Sequence, residues 1–453
     1  MLRGSRRRAR RRIEMRRRQR AANSAIDVRA LGDAALAERI AHALGDELVS
    51  WIRCVLHVYM AAAGALFQVL FALRSMTSPT AVLAKLVAAE QVSTSTRQIE
   101  DLVDLATSFR AWPGATAFLS TVGRESTDLA AWRAALPATL WGRVRDWLER
   151  YGHRRPHESD IALPRPVENP RLLRDALAPL VSAPEPPDGP ETRRLRRQRE
   201  SADTWVEVAK TNGPWRRWRI RHAVRSVASW SALREELRSE LTKDSLVLRR
   251  DLLELGRRFA ARGQLDDLEH VFDLSADELR RAASDPSYDA TIAVQRERAR
   301  RAAWRRIEVP NRFTSEDVPT FHHSSLDEGS VSEVMLGLAV SPGEVEARAC
   351  VVRSPDDGDA LVPGGVLVAH ATDPAWTPLF ARASGIVVEL GGLLSHAATV
   401  AREYGIPCVA NVEGATTALR DGDVVRVDGS RGEVLVVTRA RAAVAQVVTE
   451  KAG

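Results

Sequence analysis

Lysine is almost absent from this chain of 453 residues. Four lysines stand against sixty-two arginines, and the pattern Gly-x4-Gly-Lys-Ser/Thr does not occur. Since the lysine of that pattern holds the phosphates of a bound nucleotide, the sequence offers no P-loop site. Cysteine is also scarce. Cys54, Cys350 and Cys408 lie far apart without metal-ligand spacing, and an odd, sparse set of thiols is typical of a reducing compartment. We therefore expect a cytoplasmic protein without a metal site.

Long hydrophobic runs are rare as well. Between Arg53 and Arg74 lie twenty residues in which only His57 and Gln68 are strongly polar, a length that can span a bilayer. The segment is rich in alanine and stands alone in the chain, so a buried core helix is favoured over a membrane span. No apolar region with a cleavage site follows the N-terminal arginine run, so no signal peptide is expected. The sequence predicts no membrane partner.

The positive charge of the chain is concentrated at its start. The whole chain carries +7, whereas residues 1–20 hold eleven arginines and one glutamate, which leaves −3 on the other 433 residues. A net charge of −3 on these 433 residues does not predict a nucleic-acid partner. The segment 1–24 is read as an Arg-rich tail, and three interpretations stay open for it: a polyanion-binding arm, a solvated tail, or an upstream start with Met15 as the true beginning.

Residues 25–305 have the periodicity of helices. Leu248, Leu252, Leu255 and Phe259 recur on one helical face, and Leu233, Leu237 and Leu241 do the same one helix earlier. Gly263 is expected to cap the Leu248–Phe259 helix, and Ser275 with Glu278 reads as a capping box for the next. Pro-rich loops interrupt the helices at residues 161–170 and 182–190. The pattern predicts a mainly α-helical N-terminal domain.

The composition changes after Trp304. Residues 306–330 lack periodicity and read as a linker, and residues 331–445 read as a compact α/β domain. Helices are expected over Pro374–Ala383 and His396–Tyr404. The predicted strands are Ala347–Val352, Gly365–Ala369, Gly385–Val388, Pro407–Ala410 and Val424–Val427.

One stretch of the α/β domain combines features that favour phosphate chemistry. A buried strand leads into Gly391-Gly392, then Ser395 as an expected helix N-cap, then His396 at the start of a helix. Backbone N–H groups and the helix dipole at such a position favour a phosphate. The glycines permit close backbone approach by a substrate, and histidine can act as a nucleophile toward phosphorus. The alternative is a helix-capping loop whose histidine packs at the surface.

These residues resemble the phosphohistidine (swivelling) domain of the phosphoenolpyruvate-utilising enzymes, which include pyruvate phosphate dikinase and rifampicin phosphotransferase. The resemblance implies a swivelling β/β/α fold in which His396 is phosphorylated and then moves to an acceptor on another domain. It also implies that Ser395 and Arg402 support the phosphate, although Arg402 has the alternative of a surface residue. Leu394 replaces the threonine of the dikinases, which excludes regulatory phosphorylation there. The resemblance covers Gly337–Gly343, Val366–Pro374, Gly391–Arg402, Gly405–Pro407, Asp421–Asp423 and Asp428-Gly429.

The helical half is similar to the central, acceptor-binding domain of the rifampicin-phosphotransferase-like proteins, with His157 where relatives usually have glycine. The resemblance implies that acceptor-side groups lie in one segment: His153, Arg154, Glu158 and Asp160. A base beside the acceptor oxygen and an arginine near the transferring phosphoryl group would serve the reaction. An ion pair between Arg154 and Glu158 that only fixes the loop is the alternative. The resemblance rests on Tyr151–Ile161, Pro164–Pro166, Arg249–Gly256, Gly263–Leu265, Val271–Leu274 and Glu278-Leu279.

A further set of arginines, Arg234, Arg238 and Arg249, falls near one helical face. For these three a solvated face is favoured over a role in the site.

The ATP-grasp domain that charges the histidine in this family has no counterpart in the sequence. We therefore expect no cofactor on this chain, with ATP and Mg²⁺ on a separate ATP-grasp subunit and a small hydroxylated molecule as acceptor. The predicted function is the phosphohistidine-carrying subunit of a split, dikinase-type phosphotransferase. The alternatives are an inactive relative that sequesters a ligand, and an adaptor for nucleic acid or membrane that uses the Arg-rich start.

Overall fold

The computed structural model describes residues 2–90, 94–155, 158–182, 190–304, 334–373, 376–393 and 395–440. The predicted linker over 306–330 lies outside the described residues, as do His157, Leu394 and both ends of the predicted 331–445 domain. The described residues up to 304 form helices and turns without a strand, which confirms the helical prediction for this half.

Fourteen α-helices are described in the N-terminal part, with a π-helical segment over Ala43–Glu47 that joins the second helix to the third. The first seven are α1 (Leu2–Ala25), α2 (Asp33–His42), α3 (Leu48–Leu73), α4 (Pro79–Ala88), α5 (Thr94–Arg110), α6 (Ala115–Ser120) and α7 (Val122–Glu125). The others are α8 (Leu129–Ala135), α9 (Ala138–Tyr151), α10 (Arg171–Ser182), α11 (Pro190–Thr211), α12 (Pro214–Ala261), α13 (Ala276–Ser284) and α14 (Thr291–Trp304).

Helix α12 is the longest of the described helices. The two amphipathic segments predicted around Leu237 and Leu252 belong to this one helix of 48 residues, which is about 70 Å long at 1.5 Å per residue. No glycine or proline separates them, so nothing in the backbone stops the helix before its C-terminus. There Gly263 adopts a positive φ of 74°, as expected of a residue that follows a helix. The predicted capping box of Ser275 and Glu278 is confirmed at the start of α13.

The Arg-rich segment forms helix α1, which packs on the body of the domain. Ala9 and Ile13 are buried in a core shared with α3 and α12. Arg20 forms ion pairs with Glu240 and Asp244 of α12. The interpretation as a solvated tail is therefore wrong for these residues, because α12 presents carboxylates where α1 presents arginines.

Helix α3 contains the apolar stretch between Arg53 and Arg74, which is long enough to span a bilayer. By length and composition, the helical run Asp33–Leu73 is the one such segment among the described residues that is long and apolar enough to cross a membrane. One face of α3 packs against α12 through residues such as Trp51, Val58 and Val69. This buried face agrees with the prediction of a core helix. The opposite face is exposed.

The C-terminal part is a mixed sheet with short helices. The strand order is β1-β8-β7-β3-β4-β5-β6-β2, in which β3 to β6 run parallel and the remaining pairs run antiparallel. The strands are β1 (Val334–Leu336), β2 (Leu338–Ser341), β3 (Glu344–Val351), β4 (Val366–Ala369), β5 (Gly385–Val388), β6 (Cys408–Ala410), β7 (Val424–Asp428) and β8 (Glu433–Thr438). The helices are α15 (Thr377–Phe380), α16 (His396–Tyr404) and α17 (Ala415–Ala418).

All five predicted strands and both predicted helices are present, although the first helix is shorter than expected. Strand β8 was missed even though its alternating burial is the usual sign of a half-buried strand. Strands β1 and β2 were missed because each is short and pairs only at an edge of the sheet.

The two parts of the chain share a hydrophobic contact. Ile99 of α5 is fully buried in the core that includes Phe380 and the apolar face of α16. Arg196 of α11 donates to the carbonyl oxygen of Tyr404 at 3.4 Å. Helix α16, which begins at His396, is therefore held against α4, α5 and α11 of the helical domain.

Candidate functional site at the domain interface

The site lies at the carboxyl ends of two neighbouring parallel strands. Strand β4 ends at Ala369 and leads to Thr372 and Asp373, whereas β5 ends at Val388 and leads through the double-glycine loop to His396. Loops that follow parallel strands meet at one edge of a sheet, which is where α/β folds usually bind ligands. The hydroxyl of Thr372 is buried there without a hydrogen-bond partner.

The loop before His396 has the geometry of a capped helix start. Ser395 is the N-cap, and its hydroxyl accepts a hydrogen bond from the backbone N–H of Ala398 at 3.3 Å, as predicted. The two glycines differ. A Cβ on Gly391 would lie 3.1 Å from the Cβ of Ala410, whereas a Cβ on Gly392 would meet nothing within 4 Å. Gly391 thus permits close packing on β6, and only Gly392 leaves open space beside the loop.

His396 is buried at the interface. The residue is 5% exposed, and its Nε2 has no hydrogen-bond partner. The ring of Phe380 lies 5.7 Å away at an angle of 44°. Burial lowers the pKa of His396 to about 3. The imidazole is therefore neutral near pH 7 and has a free lone pair.

Charged groups of the helical domain act on this histidine. Glu235 raises the pKa of His396, while Arg238, Arg154 and Arg234 lower it, after the larger effect of burial. A cationic wall thus faces the start of α16. Such a wall disfavours an imidazolium and favours an anion attached to the ring.

Arg154 and Glu235 belong to one buried polar chain. Arg154 donates Nη1 to the hydroxyl of Ser95 at 3.1 Å and to Oε1 of Gln98 at 3.4 Å. The Ser95 hydroxyl donates to Glu235 at 3.1 Å, and Arg234 pairs with the same carboxylate at 3.0 Å. The Nε and Nη2 atoms of Arg154 are buried without a partner. Unpaired guanidinium donors inside a protein are costly, so these two atoms mark a place for an anion.

Burial raises the pKa of Glu235, but the arginines and His396 outweigh it. Arg234 has the largest opposing effect, followed by His396 and Arg154, and the pKa of Glu235 falls to about 2. The carboxylate is therefore ionised at neutral pH.

Glu158 forms a second buried pair at this interface. Its Oε2 accepts from Nε of Arg238 at 2.7 Å, whereas Oε1 has no partner. Burial raises the pKa of Glu158, Arg154 and Arg238 oppose the rise, and Asp373 of the sheet domain adds to it. The ion pair foreseen between Arg154 and Glu158 is thus made by Arg238 instead, because α12 places that guanidinium closer.

The other two acceptor-side residues lie differently. His153 is buried, with Nε2 2.9 Å from the hydroxyl of Ser239, and burial followed by the charge of Arg154 lowers its pKa to about 2. Asp160 is exposed and closes a turn by accepting from the N–H of Ala162 at 2.9 Å. The structure therefore brings Arg154 and Glu158 to the interface, and it leaves Asp160 in the surface turn.

Arg402 has a role inside the sheet domain. Its Nη1 donates to the carbonyl oxygen of Val340 at 3.0 Å, and burial lowers its pKa to about 10. It also lines a cavity of about 30 Å³ that includes Glu235, Thr399 and Glu403. The alternative of a surface residue is wrong, because the guanidinium fixes α16 to β2. The expected phosphate contact stays a prediction.

The solvated face expected for the arginines of α12 is also wrong. Arg234 and Arg249 are buried, and Arg238 is half-buried. Arg249 pairs with Glu168 at 2.9 Å and donates to two backbone carbonyls of the Pro-rich loop. Arg238, through Glu158, and Arg249 hold the segment that follows α9, which their spacing alone does not indicate.

Sequence reasoning missed Ser95, Gln98 and Glu235. Each is an ordinary polar residue on a helix, and no local pattern separates them from a solvated face. Among the described residues, no group of three or more His, Cys, Asp or Glu side chains is placed to hold a metal ion.

Two parts of the chain match known families. Residues 361–432 match the mobile domain of the PEP-utilising enzymes, and residues 53–235 match the fourth domain of rifampicin phosphotransferase. These matches confirm the resemblance read from the sequence. The first includes the double-glycine loop and His396, and the second includes Ser95, Arg154, Glu158 and Glu235.

Several curated proteins similar to this chain are named rifampicin phosphotransferase. The chain is 33% identical to a rifampicin phosphotransferase of Streptomyces sp and 28% identical to that of Bacillus subtilis. Each similarity covers 74% of this chain and 39% of the relative. A rifampicin phosphotransferase of Streptomyces sviceus is 31% identical with the same coverage. The chain thus spans about two fifths of the length of these relatives.

Proposed function

We propose that this relative of the rifampicin phosphotransferases, with its mobile domain of the PEP-utilising type, transfers a phosphoryl group through a phosphohistidine at His396. The observation that carries the proposal is the position of His396. Its imidazole is neutral, its Nε2 is buried without a partner, and it faces arginines of the helical domain.

The first step loads the histidine. The lone pair of Nε2 attacks the phosphorus of a donor phosphate, the bond between phosphorus and the donor oxygen breaks, and the phosphoryl group remains on Nε2. A neutral imidazole is required, and a solvent-exposed histidine away from the interface, with an ordinary pKa of about 6.5, is mostly neutral at pH 7. This step needs the mobile domain away from its docked position, because the docked Nε2 is inaccessible to solvent.

The second step delivers the phosphoryl group at the interface. An acceptor hydroxyl attacks phosphorus, the N–P bond breaks, and its electron pair returns to Nε2. Arg154 has two free donors for the charge that spreads over the phosphoryl oxygens. Glu158 has a free Oε1 and a raised pKa, which fits a base that takes the proton of the acceptor hydroxyl.

The phosphoryl donor is proposed to be ATP with Mg²⁺, bound by a separate ATP-grasp subunit in the cytoplasm. The site described above consists only of side chains of this chain, and the donor enters the proposal as a separate component. The acceptor is proposed to be a small hydroxylated molecule that binds the helical domain. Rifampicin, named in the relatives, is the natural probe for it.

The test is a phosphorylation assay with three proteins. The wild-type chain, His396→Ala and the control His222→Ala are each incubated with labelled ATP, Mg²⁺ and an ATP-grasp partner. His222 is exposed on α12 and stacks on Trp218, away from the interface. Acid-labile label is expected on the wild type and the control, and its loss is expected in His396→Ala.

Adding rifampicin to the labelled protein separates carrier function from acceptor choice. Label that leaves the protein and appears on rifampicin supports both. Label that stays on His396 supports the carrier and excludes this acceptor. Absence of His396-dependent label favours the other candidate, a relative that only binds its ligand.

A further inference from the structure

Helix α3 has a long apolar face that no described part of the chain covers. Met60 is 63% exposed and Phe67 is 71% exposed, which is unusual for side chains of this kind in a continuous row. The row follows one helical face at intervals of three or four residues. We call it the α3 stripe, and it consists of Val49, Ile52, Leu56, Met60, Ala63, Phe67 and Phe71.

The stripe is large enough for a specific interface. It extends over 22 residue steps, or about 33 Å along the helix axis. Side chains of this size at half exposure together present several hundred square ångströms, close to the ~800 Å² that one partner contributes to a standard interface. The only charged residue within Leu48–Leu73 is Arg53. The members of the stripe are themselves all apolar, as in the core of a protein interface, where charged residues are depleted.

Gly64 gives a second indication that another helix approaches. Glycine weakens a helix interior, and a Cβ at position 64 would meet nothing within 4 Å. The fold of this chain therefore does not require a glycine there. Together with exposed Ala63, Gly64 leaves a shallow gap in the stripe where a neighbouring side chain fits.

The stripe is complementary to itself when two copies run antiparallel. Leu56 precedes Met60 by four residues, and Gly64 follows Met60 by four residues. A twofold axis through Met60 therefore places the large Leu56 of each copy over the gap at Gly64 of the other. It also places Val49 opposite Phe71. An interface of this kind uses the same patch on both subunits.

We propose that the α3 stripe is the interface of a homodimer in which two α3 helices pack antiparallel about Met60. The dimer leaves the interface of His396 free, because the stripe lies on the face of α3 opposite α12. The inference is independent of the phosphoryl-transfer proposal.

Sedimentation of the full chain tests the proposal with a matched pair of variants. Ile52→Glu places two charges in each dimer interface, whereas Ile292→Glu changes an isoleucine of similar exposure (68% against 56%) on α14. A concentration-dependent dimer is expected for the wild type. Ile52→Glu is expected to raise its dissociation constant at least about a hundredfold, and Ile292→Glu is expected to leave it unchanged.

Gly64→Leu gives the same test without a charge. The space at position 64 is open in one copy, so the monomer fold tolerates the side chain, which far-UV circular dichroism checks. In the dimer the new side chain collides with Leu56 of the other copy. Dissociation of a folded Gly64→Leu protein is therefore expected.

Single cysteines test the register. Met60→Cys lies on the twofold axis and is expected to form a disulfide-linked dimer under mild oxidation. Val49→Cys and Phe71→Cys are each expected to cross-link only when mixed. The three native cysteines are buried, so the wild type serves as the background.

Three outcomes overturn the proposal. A wild type that stays monomeric at high micromolar concentration excludes the dimer. A dimer that survives Ile52→Glu lies elsewhere on the surface. A monomer whose binding to vesicles of phosphatidylcholine and phosphatidylserine is lost in Ile52→Glu assigns the stripe to a membrane.

Discussion

Ser95 of α5 donates its hydroxyl to Glu235 of α12 at 3.1 Å, and both residues are buried at the interface that receives His396. The same hydroxyl accepts from Arg154. A serine 140 positions from its glutamate thus joins a cation and an anion into one network. This network contributes to the charge that His396 meets at the interface.

Substitutions at Arg154 and Glu235 are expected to shift the pKa of His396 in opposite directions. Arg154 lowers this pKa and Glu235 raises it. Arg154→Met is therefore expected to raise the pKa of His396, and Glu235→Gln is expected to lower it further. Nuclear magnetic resonance of histidine-labelled protein gives both values, with Arg257→Met, an exposed arginine of α12, as the control. Shifts of the same sign in the two variants contradict the proposed wall.

Removal of the Glu235 carboxylate is expected to destabilise the protein. Glu235→Ala removes the buried carboxylate that Arg234 pairs with and that accepts from Ser95, which costs about 3 kcal/mol in the free energy of unfolding. Glu235→Gln keeps an acceptor for Ser95 and is expected to cost less. Urea unfolding of both variants measures the difference. Equal losses would show that the hydrogen bond contributes nothing beyond the charge.

The stability of the protein is expected to fall with acid partly through His396. Its pKa is about 3 in the folded protein and 6.5 when unfolded. Between these values the unfolded chain binds a proton that the folded chain does not, so stability is present above pH 6.5 and is lost as the pH falls below it. From pH 7 to 5 the wild type is expected to lose about 2 kcal/mol more than His396→Gln. Urea unfolding of both proteins at both pH values makes the comparison. An equal loss of stability in the two proteins contradicts the prediction.

Helix α1 is expected to contribute to the core of the helical domain. Ile13 is buried between α3 and α12, whereas Met15, two residues on, is exposed. Ile13→Ala is expected to lower the free energy of unfolding by roughly 2–4 kcal/mol, and Met15→Ala is expected to change it by less than about 0.5 kcal/mol. Thermal or urea unfolding distinguishes them. If neither substitution changes the free energy of unfolding, α1 is detached from the domain in solution.

The two glycines before His396 are expected to respond differently to alanine. A Cβ on Gly391 presses on Ala410 and Val388, whereas a Cβ on Gly392 finds open space. Gly391→Ala is expected to cost roughly 1–2 kcal/mol in stability, and Gly392→Ala is expected to be close to neutral. Unfolding measurements on both give the answer. The reverse order would place the tight contact at Gly392.

Local patterns were sufficient for much of the sheet domain. The Val- and Ile-rich runs identified β4 and β5, and Ser395 identified the start of α16, because strand alternation and helix capping depend on neighbours in the sequence. The family motif around His396 likewise lies within one continuous segment. The bounds of α12 were harder to predict from the sequence. Two amphipathic segments give the same hydrophobic pattern whether they form one continuous helix or two helices joined by a turn.

The sequence by itself determined the capped start of the helix at His396 and the helical character of the described residues up to 304, since each depends on contacts within a few positions. Only the tertiary structure decided what His396 faces. Arg154, Ser95 and Glu235 come together because α5, α12 and the segment after α9 pack on one another, and their positions are far apart in the chain. Burial and the field of several charges then set the pKa of the histidine, and both are properties of the folded arrangement.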